Sequence, residues 1–174
     1  MQQRGRTQLI WIFALAAASV LGASLLFMAA RSSGVWATTN NGEFVDPPLT
    51  VEEFQLVDTK GLDFVPGGRW WVWVIAPQGC GPSCQAALAR AQRLQLLLHK
   101  DADRVRLGLL LEAGLPLSAE VPSVVPLAGD LQLLKAGAYV VDPLGNLVLW
   151  YSYDDVGKPL LNDLKRLLKV SQIG

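Results

Sequence analysis

Two patterns divide the chain. From Leu9 to Ala30 no charged residue interrupts 22 positions, whereas beyond Arg31 the apolar residues come in short runs and stripes separated by polar, Pro and Gly positions. A bilayer core needs roughly 20 apolar residues in a helix, so the first segment is long enough to span. It exceeds the apolar core of about 7–15 residues in a cleaved signal, and no clean small-x-small site follows it. It therefore predicts an uncleaved anchor over residues 9–30, with Trp11 and Phe13 near one end as interfacial aromatics. Residues 31–48, rich in Ser, Thr, Asn and Gly and closing on Asp46-Pro47-Pro48, read as a linker. Residues 49–174 then form one folded domain.

Within that domain the periodicity alternates between strand and helix. Pro66-Gly67-Gly68 is a turn. Trp70 to Ile75 follows as an apolar run suited to a central strand buried on both faces. Trp71 and Trp73 share one face and are expected to pack against helices, with Trp70 at the domain edge. A loop from Pro77 to Pro82 precedes a helix from about Ser83, whose Ala87, Ala91, Leu94 and Leu98 recur at helical spacing while Arg90 and Arg93 fall on a solvated face. Lys100 to Asp103 ends it. Val105 to Leu111 is a second buried strand, Ala113 to Pro126 is irregular, and Asp130 to Leu134 is expected as a short helix. Tyr139 to Asp142 and Leu147 to Tyr151 flank the turn Pro143-Leu144-Gly145-Asn146 and predict a β-hairpin. Pro159 opens a last helix with a stripe of Leu160, Leu161, Leu164, Leu167 and Leu168. The result is an α/β domain: a mixed sheet flanked by helices, preceded by one transmembrane helix.

Charge changes the picture in one respect. Formal net charge is zero and mean hydropathy is +0.31, so nothing favours nucleic acid. Around the span, Arg4 and Arg6 precede it, and Arg31 alone follows closely. The positive-inside bias predicts a cytoplasmic N-terminus (residues 1–8) and a folded domain beyond a bacterial inner membrane, in the periplasm. That compartment is oxidising.

The chemistry concentrates in Cys80-Gly81-Pro82-Ser83-Cys84, which holds both cysteines at the junction of strand and helix. Cys80 sits in the loop and is the expected attacking thiol. Cys84 lies in the first helical turn, where backbone N–H groups and the helix dipole favour thiolate, and is the resolving thiol. An i, i+4 pair inside a regular helix lacks ideal disulfide geometry, so a bridge implies a distorted, more reducible first turn. The two sulfurs also suit Cu(I), a soft ion. His99 cannot join them: fifteen helical residues at about 1.5 Å each separate it from Cys84 by roughly 22 Å, against a metal–sulfur bond near 2.3 Å. Asp154-Asp155 reads as a solvated loop.

The order strand, helix, strand, short helix, hairpin, helix, with a dithiol at the first strand-to-helix junction, is the thioredoxin arrangement. Cys80, Cys84 and the segment Ala138-Tyr-Val-Val-Asp-Pro-Leu-Gly145 resemble the Sco/SenC group of membrane-anchored, thioredoxin-like proteins. Ala76 to Cys80 and Lys100 to Val105 are similar to small membrane proteins encoded with bacterial cytochrome oxidase assembly genes. The resemblance implies a role in cytochrome c oxidase assembly, with oxidase subunits or other assembly factors as partners and copper as cargo. It stops at Cys80 and Cys84: Leu133 to Gly137, where Sco proteins place a copper-binding histidine and thioredoxins a cis-proline, has neither. Three readings stay open. They are Cu(I) relay or thiol reduction on an oxidase, general periplasmic thiol–disulfide exchange, and a scaffold whose cysteines do no chemistry. No general acid or base is visible, so enzyme status is open too.

Overall fold

A computed structural model of the protein describes residues 2–32, 39–115 and 121–171; residues 33–38 of the expected linker and 116–120 of the expected irregular segment lie outside it. The chain forms two units, divided after Thr39. In the first, helix α1 (Gln2–Ser32) contains a 26-residue stretch, Gly5–Ala30, long and apolar enough to cross a membrane.

The second unit is built on a seven-stranded sheet. Its strands are β1 (Glu43–Thr50), β2 (Val57–Asp58), β3 (Trp70–Ala76), β4 (Val105–Glu112), β5 (Val124–Gly129), β6 (Gly137–Val141) and β7 (Asn146–Tyr151). They lie in the order β1-β7-β6-β3-β4-β5-β2. Strands β3, β4 and β5 run parallel; β6 pairs antiparallel with β3, and β7 with β6. Two helices complete the unit, α2 (Pro82–Leu97) and α3 (Lys158–Val170).

Strand β3 is buried along its whole length, as a central strand must be. Its alternation divides the core. Trp70, Val72, Val74 and Ala76 face α2 and α3, where Ala87, Leu88, Ala91, Leu160 and Leu164 meet them. Trp71, Trp73 and Ile75 face the other side. Two expectations are corrected here. Trp70 is not at an edge but buried. Trp71 and Trp73 do share a face, yet neither long helix covers them; the short 3₁₀ helix Val51–Phe54 and the residues after it do. Phe64 stands edge-on to both, at 4.9 Å and 5.7 Å, and Phe54 and Leu56 close the layer. Both long helices lie on the opposite face, so the segment before β3 has to cover this one.

That segment contains strands the apolar pattern does not announce. Residues 43–48, read as linker, are part of β1, an edge strand on β7. Its register shifts between Phe44 and Leu49, around Pro47 and Pro48, which have no ladder donor to offer. β5 occupies part of the stretch expected to be irregular. Its Pro126 pairs with Leu109 of β4, while β2 engages only Ala128 and Leu127 on the other side, so Pro126 sits where that edge is open. The expected helix at Asp130–Leu134 is instead a turn closed by Leu134 N–H donating to the Leu131 carbonyl at 2.9 Å. The β6–β7 hairpin forms as expected. Asp142 Oδ1 accepts from the backbone N–H groups of Leu144 and Asn146, and Gly145 takes φ +96°, a region closed to most side chains.

Candidate functional site

The sequence makes the dithiol loop with glycine. Gly79 adopts φ +96°, its N–H bonding back to the Ala76 carbonyl at 3.0 Å, so the chain turns sharply off the end of β3. Gly81 is the extended N-cap of α2 and Pro82 its first residue, where a missing N–H costs nothing. Gln85 reaches back, its Nε2 donating to the Cys80 carbonyl at 3.1 Å.

Cys80 and Cys84 form a disulfide, with Cα atoms 5.2 Å apart, within the ordinary range. The expectation of a distorted first turn is corrected: Cys80 stands before the cap, outside the helix, and α2 is regular from Pro82. The loop supplies the bend that a helix would resist. The two sulfur positions differ in access. Cys84 is 2 % exposed and packs in the core beneath α2, whereas Cys80 is half-buried at the surface.

Two cavities adjoin the bridge. A groove of about 630 Å³ includes Gly79 and Cys80 and runs between α2 and β4. A cavity of about 470 Å³ includes Cys84, Ala136 and Tyr153. The stretch Leu133 to Gly137 therefore does reach the dithiol, but it presents a methyl group there. Among the described residues no three His, Cys, Asp or Glu side chains gather as a metal site. His99 lies past the far end of α2, in the 3₁₀ turn His99–Arg104. The carboxylate of Asp155 accepts from Ser152 Oγ in an exposed turn, as a solvated loop would.

Arg90 is not on a solvated face: its Nε donates to the Val156 carbonyl at 2.9 Å and its Nη2 to the Tyr153 carbonyl at 2.7 Å. The helix carrying Cys84 is thus bolted to the turn after β7. From that turn the Tyr153 hydroxyl donates to the Ile75 carbonyl at 2.6 Å, near the end of β3, and burial raises its phenol pKa above the ordinary value. Helix, turn and strand are fixed around Cys84 by these three bonds. Arg104, within the segment that carried part of the resemblance, holds structure instead, donating to the Leu168 and Ser171 carbonyls at the end of α3.

The family model described as transmembrane-like, thioredoxin-like, C-terminal domain matches residues 70–171, more than half of the chain. The chain belongs to this family. Its thioredoxin-like domain is also similar to solved structures of Sco proteins. Apo Sco1 from Thermus thermophilus is 19 % identical, with 75 % of this chain and 98 % of that one covered and a TM-score of 0.56. Yeast Sco1 is 14 % identical, with 68 % and 96 % covered and a TM-score of 0.54. At these identities the likeness is one of fold. No curated protein matches the sequence. In this chain the thioredoxin-like domain has both long helices on one face of the sheet.

Proposed function

We propose that this protein is a single-span, membrane-anchored thioredoxin-like protein that assists cytochrome c oxidase assembly by thiol–disulfide exchange through Cys80 and Cys84. The N-terminus is cytoplasmic and the domain periplasmic, by the distribution of Arg4, Arg6 and Arg31 around the span. The observation that carries the reading is the asymmetry of the bridge. One sulfur is reachable and the other buried at a helix N-terminus, where a thiolate is stabilised. The process comes from the resemblance of Cys80, Cys84 and Ala138–Gly145 to Sco proteins. Reducing a disulfide between the cysteines of the oxidase copper site would convert the Cys80 and Cys84 thiols into the Cys80–Cys84 disulfide, so each turnover also takes two electrons from an upstream thiol reductant. Relay of Cu(I) as cargo would use the same atoms, with a third ligand coming from the partner.

The test has two arms. Oxidase copper content and activity are measured in cells carrying Cys80→Ser or Cys84→Ser. The reduced full-length protein in detergent is titrated with Cu(I) against a competing chelator, without oxygen. Loss of oxidase copper with weak Cu(I) binding is the expected result. Tight one-to-one binding abolished by Cys80→Ser replaces thiol reduction with relay. Unchanged oxidase copper in both variants leaves only a scaffold.

A further inference from the structure

The outer side of α3 carries charge that the proposed chemistry does not use. From Leu164 to Ser171 it holds Lys165, Arg166 and Lys169 and no carboxylate. All three cations are exposed, at the three- and four-residue spacings that share a helix face, while Leu160, Asp163, Leu164 and Leu168 turn inward. The surroundings do not cancel this charge. In the 3₁₀ turn His99–Arg104, Lys100 and Arg104 balance Asp101 and Asp103, with Arg104 paired to Asp101 at 3.2 Å. Asp154 and Asp155 stand before the other end of α3, beside Lys158. The segment from Glu43 to Pro66, which supplies the cover of the opposite sheet face, holds six carboxylates against Lys60 alone.

Two connections place this surface. The first is the entry of the chain: Asn41 and Gly42 N–H donate to Asp163, on the inner side of the same helix, at 2.6 Å and 3.0 Å. The stretch able to span a membrane ends at Ala30, and Asn41 follows eleven residues on. A chain of that length reaches at most about 40 Å, so the tether joins the folded unit at α3 and within that distance of the bilayer. The second is the direction of the strands. Trp70 Nε1, at the start of β3, donates to Ser171 Oγ at 3.4 Å, and Arg104, just before β4, donates to the Leu168 and Ser171 carbonyls. Cys80 follows the other end of β3, roughly 20 Å of strand away. The basic end of α3 and the dithiol therefore lie toward opposite ends of the sheet.

We propose that Lys165, Arg166 and Lys169 form a docking surface for a bilayer bearing anionic lipid headgroups. The proposal rests on the membrane-span reading and not on the thiol chemistry. Three cations within a Debye length of an anionic surface favour the docked state by about a hundredfold, and salt screens the effect. The same surface repels the acidic segment, which disfavours the opposite orientation. Docked by this end, the domain holds Cys80 and Cys84 at the end away from the lipid, open to the water-exposed part of a membrane partner.

The test places the full-length protein in nanodiscs of phosphatidylcholine, with or without added phosphatidylglycerol. Its lysines are acetylated with the uncharged reagent N-hydroxysuccinimidyl acetate, and mass spectrometry gives the rate at each. Relative to the exposed Lys60 and Lys135, Lys165 and Lys169 should react about tenfold slower in the anionic discs at low salt. In about 0.5 M sodium chloride they should regain the neutral-disc rate. Lys165→Glu, at an exposed position, should leave the melting temperature unchanged and remove most of the protection at Lys169. An unchanged ratio in anionic discs overturns the surface, and so does equal slowing in neutral discs, which assigns the helix to a partner other than anionic lipid. Uniform slowing of all four lysines also overturns it, since that reports surface potential without docking. A chain that does not enter nanodiscs overturns the span reading together with the surface.

Discussion

Asp163 holds the start of the domain in place, and its removal should release that start before anything else. It lies within the leucine stripe of α3, between Leu160 and Leu164, and is 2 % exposed. Its carboxylate accepts four hydrogen bonds. They come from Asn41 N–H at 2.6 Å, Asn41 Nδ2 at 2.9 Å, Gly42 N–H at 3.0 Å and the Tyr151 hydroxyl at 2.8 Å. Desolvation pushes its pKa up, but the bonds from Tyr151, Gly42 and Asn41 outweigh it and hold the carboxyl below the ordinary value. Removing the carboxylate leaves the Tyr151 hydroxyl and two backbone donors without a partner, each at about 1–3 kcal/mol if they stay buried. Peeling residues 40–44 into water limits the loss, since the donors then find solvent. Asp163→Ala should therefore cost about 3–4 kcal/mol and Asp163→Asn, which keeps one acceptor, about 2 kcal/mol. At roughly 3–5 °C per kcal/mol for a domain of this size, the alanine variant should melt about 10–15 °C lower. The folded-state pKa lies below the unfolded one, so the stabilisation is complete above the unfolded carboxyl value of about 4 and drains away as pH falls through the folded value. The assay is thermal unfolding by tryptophan fluorescence from pH 2.5 to 7, with hydrogen exchange read at Asn41 and Gly42. Wild type and Asp163→Asn should converge at the acid end, with the gap opening as pH rises toward about 4 and constant above it. A constant gap at every pH, or undiminished amide protection in Asp163→Ala, refutes the clamp.

Three further outcomes follow from the same geometry. Gly42→Ala should destabilise by at least 2 kcal/mol, because a Cβ there would fall 2.4 Å from the Tyr151 ring; denaturant midpoints at constant slope measure it. Reducing the Cys80–Cys84 bridge should cost no more than about 2 kcal/mol, since the loop it closes is very short, so a large drop in melting temperature with reductant would argue for a structural disulfide. Arg90→Met should cost about 1–3 kcal/mol through the two carbonyls it leaves at Tyr153 and Val156, and should raise the alkylation rate of the reduced Cys84 thiol by loosening the turn beside it.

How much of this was legible follows from where the information sits. Strand β3, helix α2, the hairpin and α3 are local: a two-faced apolar run, a helical stripe, an Asp-Pro-x-Gly turn and a proline at a helix start each declare themselves within a dozen residues. The cysteines were equally plain, because a strand-to-helix junction sets their surroundings. What the pattern hid is held by partners far along the chain. β1 is an interrupted edge strand carrying two prolines, and it becomes a strand because β7 offers an open ladder and because Asp163, more than a hundred residues away, binds Asn41 and Gly42. β5 was obscured by Pro126, whose cost vanishes at a place the sequence cannot reveal. Arg90 looked like any helix-surface arginine, since its acceptors are carbonyls with no side-chain signature. Asp163 did leave a trace: a carboxylate inside an apolar stripe must be paid for by hydrogen bonds, so its presence alone implied donors arriving from elsewhere. The same reasoning reaches the site. A cysteine pair says which atoms react, but how open each sulfur is depends on what packs over it, and that is fixed only when β4, α2 and the turn at Tyr153 close around them.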